Sequence, residues 1–185
     1  MSVSGADMDV TPHSRSPIDS VAELRDYGFR GFLSVNRLWE SRCEEVPVER
    51  GVYVAVRDAV MPPKFLEHSV GGRFRQMDPS VPIEILQNHW VPGAVVLYIG
   101  RARGPGVRAL LHQRVKRYLR FGQGRVVAHY GGRFVWQLRD HRVMLLAWMP
   151  TPDEDPAVVE ARLQAMFLAR HGRLPFANLR LEDPE

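Results

Sequence analysis

Two tyrosines, each two residues away from a glycine in a short apolar segment, are the first residues of this sequence that suggest chemistry. They lie in Gly51-Val-Tyr53 and in Tyr98-Ile-Gly100. A phenol can take up a proton or hydrogen-bond a phosphate, but its pKa of about 10 makes it a poor base at neutral pH unless a cation lowers that value. Each tyrosine taken alone also fits a half-buried aromatic residue of a strand.

An arginine and a glutamate further along the chain add groups that bind phosphate and metal ions. Arg114 borders the apolar stripe of a predicted helix, and its planar guanidinium matches phosphate, although an ion pair within the protein would also explain it. Glu160 flanks the apolar face of a later helix. Its carboxylate either offers an oxygen ligand to a divalent cation or complements the helix dipole. His129 either assists proton transfer near a phosphate or packs in the core.

Basic residues are concentrated in one part of the chain. The protein has 185 residues and a net charge of +4, and residues 101–139 hold ten cations and no Asp or Glu. A basic segment without acids is typical of contact with a polyanion, although a solvated helix face would also explain it. The candidates for contact with nucleic acid are Arg101, Arg103, Lys116, Arg117, Arg120 and Arg125.

The composition excludes several classes of protein. Hydrophobic residues make up 45% and charged residues 25%, as in soluble globular chains. The longest apolar run, residues 143–149, is too short to cross a bilayer, and the N-terminus lacks the pattern of a secretory signal. Cys43 is the one cysteine, which excludes an internal disulfide and a zinc site of several cysteines. We therefore expect a cytoplasmic protein without a membrane partner.

Three strands and two helices are predicted to position these groups. The strands span residues 50–56, 94–99 and 143–149, and the helices span 107–121 and about 156–171. The third strand is apolar throughout, which is typical of a central strand. Asp155 is a typical residue to begin the second helix, and Gly172 is a typical residue to end it. Residues 131–138 fit either a short helix or a strand.

The remaining chain divides into a tail, a leader and an insert. Residues 1–16 are predicted to form a disordered tail, and 17–48 a helical leader of two short helices. The segment 58–93 between the first two strands is rich in Pro and Gly, and an insertion of this length is often functional. It either helps to select a substrate, through cations such as Arg73 and Arg75, or fills the core without touching a ligand.

The order of these motifs resembles the GIY-YIG nuclease superfamily. Gly51-Val-Tyr53 is similar to the first motif, with valine in place of isoleucine, and Tyr98-Ile-Gly100 matches the second. Three further matches follow in order, since the family's helix arginine, metal-binding glutamate and late asparagine correspond to Arg114, Glu160 and Asn178. The nuclease-like domain is assigned to residues 49–181. The insert is longer than the usual family connection, and Asn178 lies farther from Glu160 than is usual.

The resemblance implies an α+β fold with a small three-stranded, mostly antiparallel sheet flanked by helices. It implies a metal-dependent endonuclease that hydrolyses DNA phosphodiester bonds, with Tyr53 assisting attack by water and Arg114 holding the phosphate. The implied site residues are the catalytic Tyr53, Tyr98, Arg114, Glu160 and Asn178, and the motif glycines Gly51 and Gly100. Glu160 is the implied ligand of one Mg²⁺ or Mn²⁺ ion.

Two alternatives stay open at this point. One is a nucleic-acid-binding module that keeps the fold without catalysis, and the other is an enzyme that acts on RNA or another phosphate ester. The sequence also leaves the oligomeric state open, a homodimer included. We expect Tyr53, Tyr98, Arg114 and Glu160 to converge in one shallow concave site. A Glu160 on the opposite side of the sheet from Arg114 would overturn the nuclease hypothesis.

Overall fold

The centre of this α+β fold is a four-stranded antiparallel sheet. The computed structural model describes residues 18, 20–57, 61–102, 110–127, 129 and 131–181. The strands are β1 (Arg30–Ser34), β2 (Gly51–Val56), β3 (Val96–Ala102) and β4 (Leu145–Pro150). They lie in the order β1-β4-β2-β3, and each neighbouring pair is antiparallel. The apolar third predicted strand, here β4, is therefore central as expected. The predicted tail 1–16 and the insert residues 58–60 lie outside the described residues.

The prediction of three strands is wrong by one, because the leader contributes β1. This strand pairs with β4, with Arg30 opposite Trp148. The pairing is irregular between Gly31 and Leu33, where Phe32 has a φ of 52°. Such a kink interrupts the alternation of side chains from which a strand is recognised in a sequence. The leader is therefore not entirely helical, and it forms one edge of the sheet.

The described residues form five helices, and the two with predicted bounds end within one residue of the prediction. The helices are α1 (Val21–Tyr27), α2 (Val35–Glu40), α3 (Ile83–His89), α4 (Leu111–Gly122) and α5 (Pro156–His171), with 3₁₀ turns at Phe74–Gln76 and Arg133–Gln137. The side chain of Asp155 caps α5, and Gly172 ends it in a left-handed conformation. The predicted start of α4 at residue 107 is too early, because Leu110 is extended and the helix begins at Leu111. No described side chain caps this end, so the sequence carries no clear start signal there. Within the described part of the chain, no helix combines the length and the apolar character needed to cross a membrane.

Helices cover both faces of the sheet. Side chains of β2 alternate, so that Tyr53 and Ala55 point to one face and Val52 and Val54 to the other. The buried stripe of α4 packs on the face of Tyr53, together with α2. The buried residues of α5 pack on the opposite face, together with α1. The helices that carry Arg114 and Glu160 therefore lie on opposite faces of the sheet.

The insert is anchored to the 3₁₀ turn at Arg133–Gln137. The backbone N–H of Leu66 donates to the carbonyl oxygen of Gln137 at 2.8 Å. The buried side-chain amide of Gln137 accepts from the N–H of Val81 and donates to the carbonyl oxygens of Leu66 and Val81. The buried side-chain amide of Gln137 is therefore satisfied by backbone groups of the insert. We expect such bonds if the insert fills part of the core.

Candidate active site

A cavity of about 470 Å³ at the edge of β3 contains most of the side chains that the motifs indicated. Its walls come from β3, α4, α5 and two loops. The lining residues are Tyr98, Arg101, Arg114, Gly131, Gly132, Arg133, Glu160, Ala177, Asn178, Leu179 and Arg180. Tyr98, Arg114, Glu160 and Asn178 thus come together although they are far apart in the sequence.

The cavity forms where the two faces of the sheet meet, at the edge of β3. Arg114 reaches it from the face covered by α4, and Glu160 from the face covered by α5. No described strand continues the sheet beyond β3, so nothing in the sheet separates the two groups there. The expectation that Arg114 and Glu160 share one side of the sheet is therefore wrong for their helices, which is the arrangement named above as contrary to a nuclease. The two side chains nevertheless line one cavity, so the sheet does not separate the groups themselves.

Tyr53 lies beneath this cavity and is not part of its wall. Its side chain is completely buried, and its Cα is paired with that of Gly100 across β2 and β3. The centroid of its ring is 5.9 Å from that of Tyr98 in an edge-on arrangement. Its hydroxyl finds no hydrogen-bond partner among the described residues. The predicted convergence therefore holds for Tyr98, Arg114 and Glu160, with Tyr53 as a neighbour below them.

Burial raises the pKa of both motif tyrosines. For Tyr53, the loss of contact with water outweighs the opposing effect of the Arg114 guanidinium on its pKa. For Tyr98, burial raises the pKa well above its ordinary value, and the neighbouring tyrosines reinforce this. The condition for Tyr53 to act as a base, a pKa lowered by a cation, is therefore not met by the protein alone. Both phenols are neutral at neutral pH and can donate hydrogen bonds.

The motif glycines allow the tyrosines and strands to approach one another. A Cβ atom on Gly100 would lie 2.8 Å from the ring of Tyr53 and 2.9 Å from that of Tyr98. A Cβ atom on Gly51 would overlap the carbonyl oxygen of Met149. These distances are shorter than real Cβ contacts, so any side chain at either position would force the strands or rings apart.

Arg114 is charged, half-buried and without an ion pair among the described residues. It borders the buried stripe of α4 as predicted, and its Nε atom is buried with no described hydrogen-bond partner. The nearby Tyr53 side chain is the main cause that raises the pKa of the guanidinium. A buried charge is unfavourable unless it is paired. Binding of an anion explains this arginine better than the alternative of an internal ion pair.

Glu160 is the acidic group of the cavity. Only 4% of the residue is exposed, and its Oε2 accepts a hydrogen bond from Nη1 of Arg101 at 2.7 Å. The residue lies beyond the first turn of α5, whose acidic residues would complement the helix dipole. Complementing the helix dipole is therefore a poor explanation for Glu160. Attraction to the several arginines of the cavity explains its position better.

Glu160 fits a divalent cation only as one ligand among several. Within the described residues, no group of three or more His, Cys, Asp or Glu side chains could hold a metal ion. Among the described lining residues, Glu160 is the one carboxylate. Mg²⁺ keeps several water molecules and is often bound by one or two carboxylates together with phosphate oxygens of a substrate. The donor set is therefore compatible with a cation held jointly by Glu160, water and phosphate, once Arg101 releases the carboxylate.

Asn178 is engaged with the backbone of β3. Its Oδ1 accepts from the N–H of Ile99 and its Nδ2 donates to the carbonyl oxygen of Ile99, both at 2.9 Å. Next to it, the N–H of Ala177 donates to the carbonyl oxygen of Leu97 at 2.8 Å. These bonds replace those of a neighbouring strand. We therefore interpret Asn178 as a positioning residue for β3, in contrast to the catalytic role that the resemblance implies.

Six further residues that were not predicted as site residues line the cavity: Gly131, Gly132, Arg133, Ala177, Leu179 and Arg180. A Cβ atom on Gly131 would lie 2.7 Å from the Tyr98 hydroxyl, and one on Gly132 would lie 2.9 Å from the Tyr98 ring. The glycine pair therefore lies against this tyrosine. Arg133 belongs to the acid-free basic segment, which was an available signal, whereas no pattern in the sequence indicates Arg180. With four arginines and one glutamate in its lining, the cavity favours an anion.

The predicted nucleic-acid contacts are divided between two depressions. Arg101 lines the main cavity, and a second depression of about 260 Å³ lies beside α4. Its lining residues are Gln113, Lys116, Arg117, Arg120 and Val127. Arg125 is exposed outside both depressions, and Arg103 lies outside the described residues. Three of the six candidates therefore form a compact basic surface on the outside of α4.

His129 and the insert do not line the main cavity. Burial lowers the pKa of His129 to about 3, and the charges of Arg114 and Arg117 act in the same direction. Its ring packs 4.9 Å from that of Tyr118, so the core interpretation of this histidine is the one that fits. None of the described insert residues, 61–93, lines the cavity either. Arg73 of the insert forms an exposed ion pair with Asp78 of the same segment.

The cavity can bind a phosphate among several arginines, beside a carboxylate and a neutral phenol. Comparison of the chain with family models, with curated proteins and with solved structures finds no match. The functional interpretation therefore depends on the geometry of this cavity and on the order of the motifs that form it.

Proposed function

We propose that this protein is a metal-dependent endonuclease of the GIY-YIG type that hydrolyses phosphodiester bonds in DNA. The observation that carries the proposal is the common cavity of Tyr98, Arg114 and Glu160, with Tyr53 directly beneath it. These residues come from two strands and two helices, and motif order alone does not bring them together. Their types are those needed to bind a phosphate and a divalent cation side by side.

The arginines of the two depressions support DNA as the partner. Arg114 and the other arginines of the cavity would bind the phosphate that reacts, while Lys116, Arg117 and Arg120 would bind phosphates further along the same strand. Such contacts release counterions from DNA. Affinity should therefore fall steeply as the salt concentration rises, with little dependence on base sequence.

The reaction is attack of a water oxygen on phosphorus while the ester P–O bond breaks. The attacking water releases one proton to solvent, and the leaving oxygen gains one proton. Arg114 neutralises the phosphate and orients it through its planar guanidinium, which lines the cavity close to Tyr53 and Tyr98. The neutral Tyr98 hydroxyl donates a hydrogen bond to a phosphate oxygen or to the attacking water. Glu160 would hold a divalent cation together with water and phosphate oxygens, and the chemistry gained would be charge neutralisation and a more acidic water. Tyr53 supports the position of Arg114 from below.

A non-catalytic nucleic-acid-binding module is the second candidate, and one observation favours it. In the free protein, Arg101 is paired with Glu160, and both tyrosines are neutral. A protein that only binds nucleic acid would need the arginines and would not need the carboxylate to be released. The two candidates therefore differ in the role of Glu160.

Cleavage assays with and without divalent cations distinguish the candidates. The substrates are supercoiled plasmid, single-stranded DNA, branched DNA and an RNA of matched sequence, each with Mg²⁺, Mn²⁺ or EDTA. We expect metal-dependent cleavage of DNA by the parent protein and none by Glu160→Gln, which still binds DNA. Binding in EDTA without cleavage in either metal would support the binding module, and preferential cleavage of RNA would change the substrate class.

A matched control guards against a contaminating nuclease. Arg30→Gln removes one charge from an exposed residue of β1, at the opposite edge of the sheet from the cavity. It is purified in parallel with Glu160→Gln and should cleave as the parent does. Equal cleavage by Glu160→Gln and Arg30→Gln would mean that the activity does not come from this cavity.

Asn178→Ala should reduce stability more than chemistry. We expect the free energy of unfolding to fall by about 2–3 kcal/mol, because two buried backbone groups of Ile99 lose their partners. Urea unfolding measures this loss, and cleavage is measured at low temperature where the variant stays folded. The cleavage rate of folded Asn178→Ala should stay far above that of Glu160→Gln. Unchanged stability with abolished cleavage would instead restore a catalytic role for Asn178.

A further inference from the structure

The ion pair between Arg101 and Glu160 lies where the cavity would have to hold a cation. Nη1 of Arg101 is 2.7 Å from Oε2 of Glu160, and the two side chains are 26% and 6% exposed. A carboxylate that is so deeply buried is stable as an anion only when a positive group accompanies it. In the free protein, Arg101 is a positive group paired directly with Glu160.

A divalent cation and the Arg101 guanidinium would compete for the same carboxylate. Glu160 is the one carboxylate among the described lining residues, so the cation has no other acidic ligand there. Arg101 would leave Glu160 at low cost only if another anion were available to it. The other three arginines of the cavity, Arg114, Arg133 and Arg180, attract such an anion into the same space.

We propose that Arg101 exchanges partners, so that binding of an anion and binding of a divalent cation in this cavity are cooperative. Without a phosphate, Arg101 holds Glu160 and opposes the cation. When a phosphate enters, Arg101 moves to it, and the carboxylate becomes accessible to the cation. This inference, which rests on the proposed function, makes Arg101 a positioning residue that delays metal binding until the substrate is present.

Cooperativity of this kind is reciprocal, so it can be measured by metal binding alone. Mn²⁺ affinity is measured from the electron paramagnetic resonance signal of free Mn²⁺, in sodium chloride and in sodium sulfate of equal ionic strength. Sulfate represents the phosphate. For the parent, we expect sulfate to raise the affinity for Mn²⁺ about fivefold or more. Glu160→Gln should show no Mn²⁺ binding at this site in either salt.

The variant Arg101→Gln separates the exchange from ordinary attraction between bound ions. We expect it to bind Mn²⁺ in chloride more tightly than the parent, because the competing guanidinium is gone, and to respond much less to sulfate. Arg30→Gln, with the same change of charge at the opposite edge of the sheet, should behave as the parent. If Arg101→Gln binds Mn²⁺ no more tightly than the parent, or keeps the full response to sulfate, the exchange is wrong.

A second variant covers the case in which Arg101→Gln does not fold. Arg101→Lys keeps the charge and loses the planar fork, so it should hold Glu160 less firmly and bind Mn²⁺ in chloride more tightly than the parent. Equal affinity would contradict the exchange. DNA cleavage without any effect of sulfate on Mn²⁺ binding would overturn the exchange alone. The sulfate effect without cleavage of any substrate would overturn the nuclease function alone.

Discussion

Replacement of Arg114 by methionine should lower the rate of DNA cleavage about a thousandfold or more, the effect of removing an arginine that neutralises a reacting phosphate. Arg114 lines the cavity and also lies close to Tyr53. The measurement is a single-turnover assay at saturating DNA, so that weaker binding does not contribute. Stability should be unchanged or higher, because methionine removes a buried Nε that has no hydrogen-bond partner among the described residues.

The matched control is Arg117→Met, on the same helix but in the second depression. It should weaken DNA binding and reduce its salt dependence, with little change in the rate at saturation. If Arg114→Met cleaves at close to the parent rate while remaining folded, the phosphate is not held by Arg114. If both variants lose cleavage rate at saturating DNA, or both lose only affinity for DNA, then Arg114 and Arg117 do not bind a reacting and a flanking phosphate respectively.

Acidification should destabilise the protein strongly through His129. Burial lowers the pKa of this histidine from 6.5 to about 3. At pH values between these two, the unfolded chain binds a proton that the folded protein excludes. Stability is therefore complete above the unfolded pKa and is lost as the pH falls toward the folded one. From about pH 7 to about pH 4, His129 alone should account for a loss of about 3 kcal/mol.

The variant His129→Phe isolates this contribution. Phenylalanine has a similar shape, and the site already contacts the rings of Tyr118 and Phe121. Urea unfolding at a series of pH values should show a shallower loss of stability for the variant than for the parent. His68→Gln, a change at an exposed histidine of the insert, should follow the parent. Parallel curves for the parent and His129→Phe would show that His129 is not kept neutral by the fold.

Local signals in the sequence were sufficient for the elements that are fixed by their own ends. The last helix could be predicted closely, because Asp155, Pro156 and Gly172 have strong preferences at the two ends of a helix. The motif strands could be predicted from their β-branched and aromatic residues. β3 nevertheless continues past Gly100 to Ala102, because pairing with β2 favours extension more than a glycine opposes it.

Features that depend on packing between distant segments could not be predicted. The sequence does not indicate that α5 lies on the opposite face of the sheet from α4, because its apolar residues give no preference for either face. For the same reason, the sequence could not indicate that Tyr53 is too deeply buried to line the cavity or that Asn178 is bonded to β3. Burial, which raises the pKa of Tyr53, and the partner of Asn178 on β3 both arise only when the chain is folded. The ion pair between Arg101 and Glu160 is likewise a product of tertiary structure.

The bonds that Ala177 and Asn178 make to β3 also protect the protein from aggregation. Free N–H and C=O groups at the edge of a sheet allow sheets of two molecules to join into fibres. Here the carbonyl oxygen of Leu97 and both backbone groups of Ile99 are already occupied, and the opposite edge, β1, is kinked at Phe32. Neither edge offers a straight row of free groups along its whole length. The protein is therefore expected to stay dispersed at concentrations where an open sheet edge would lead to precipitation.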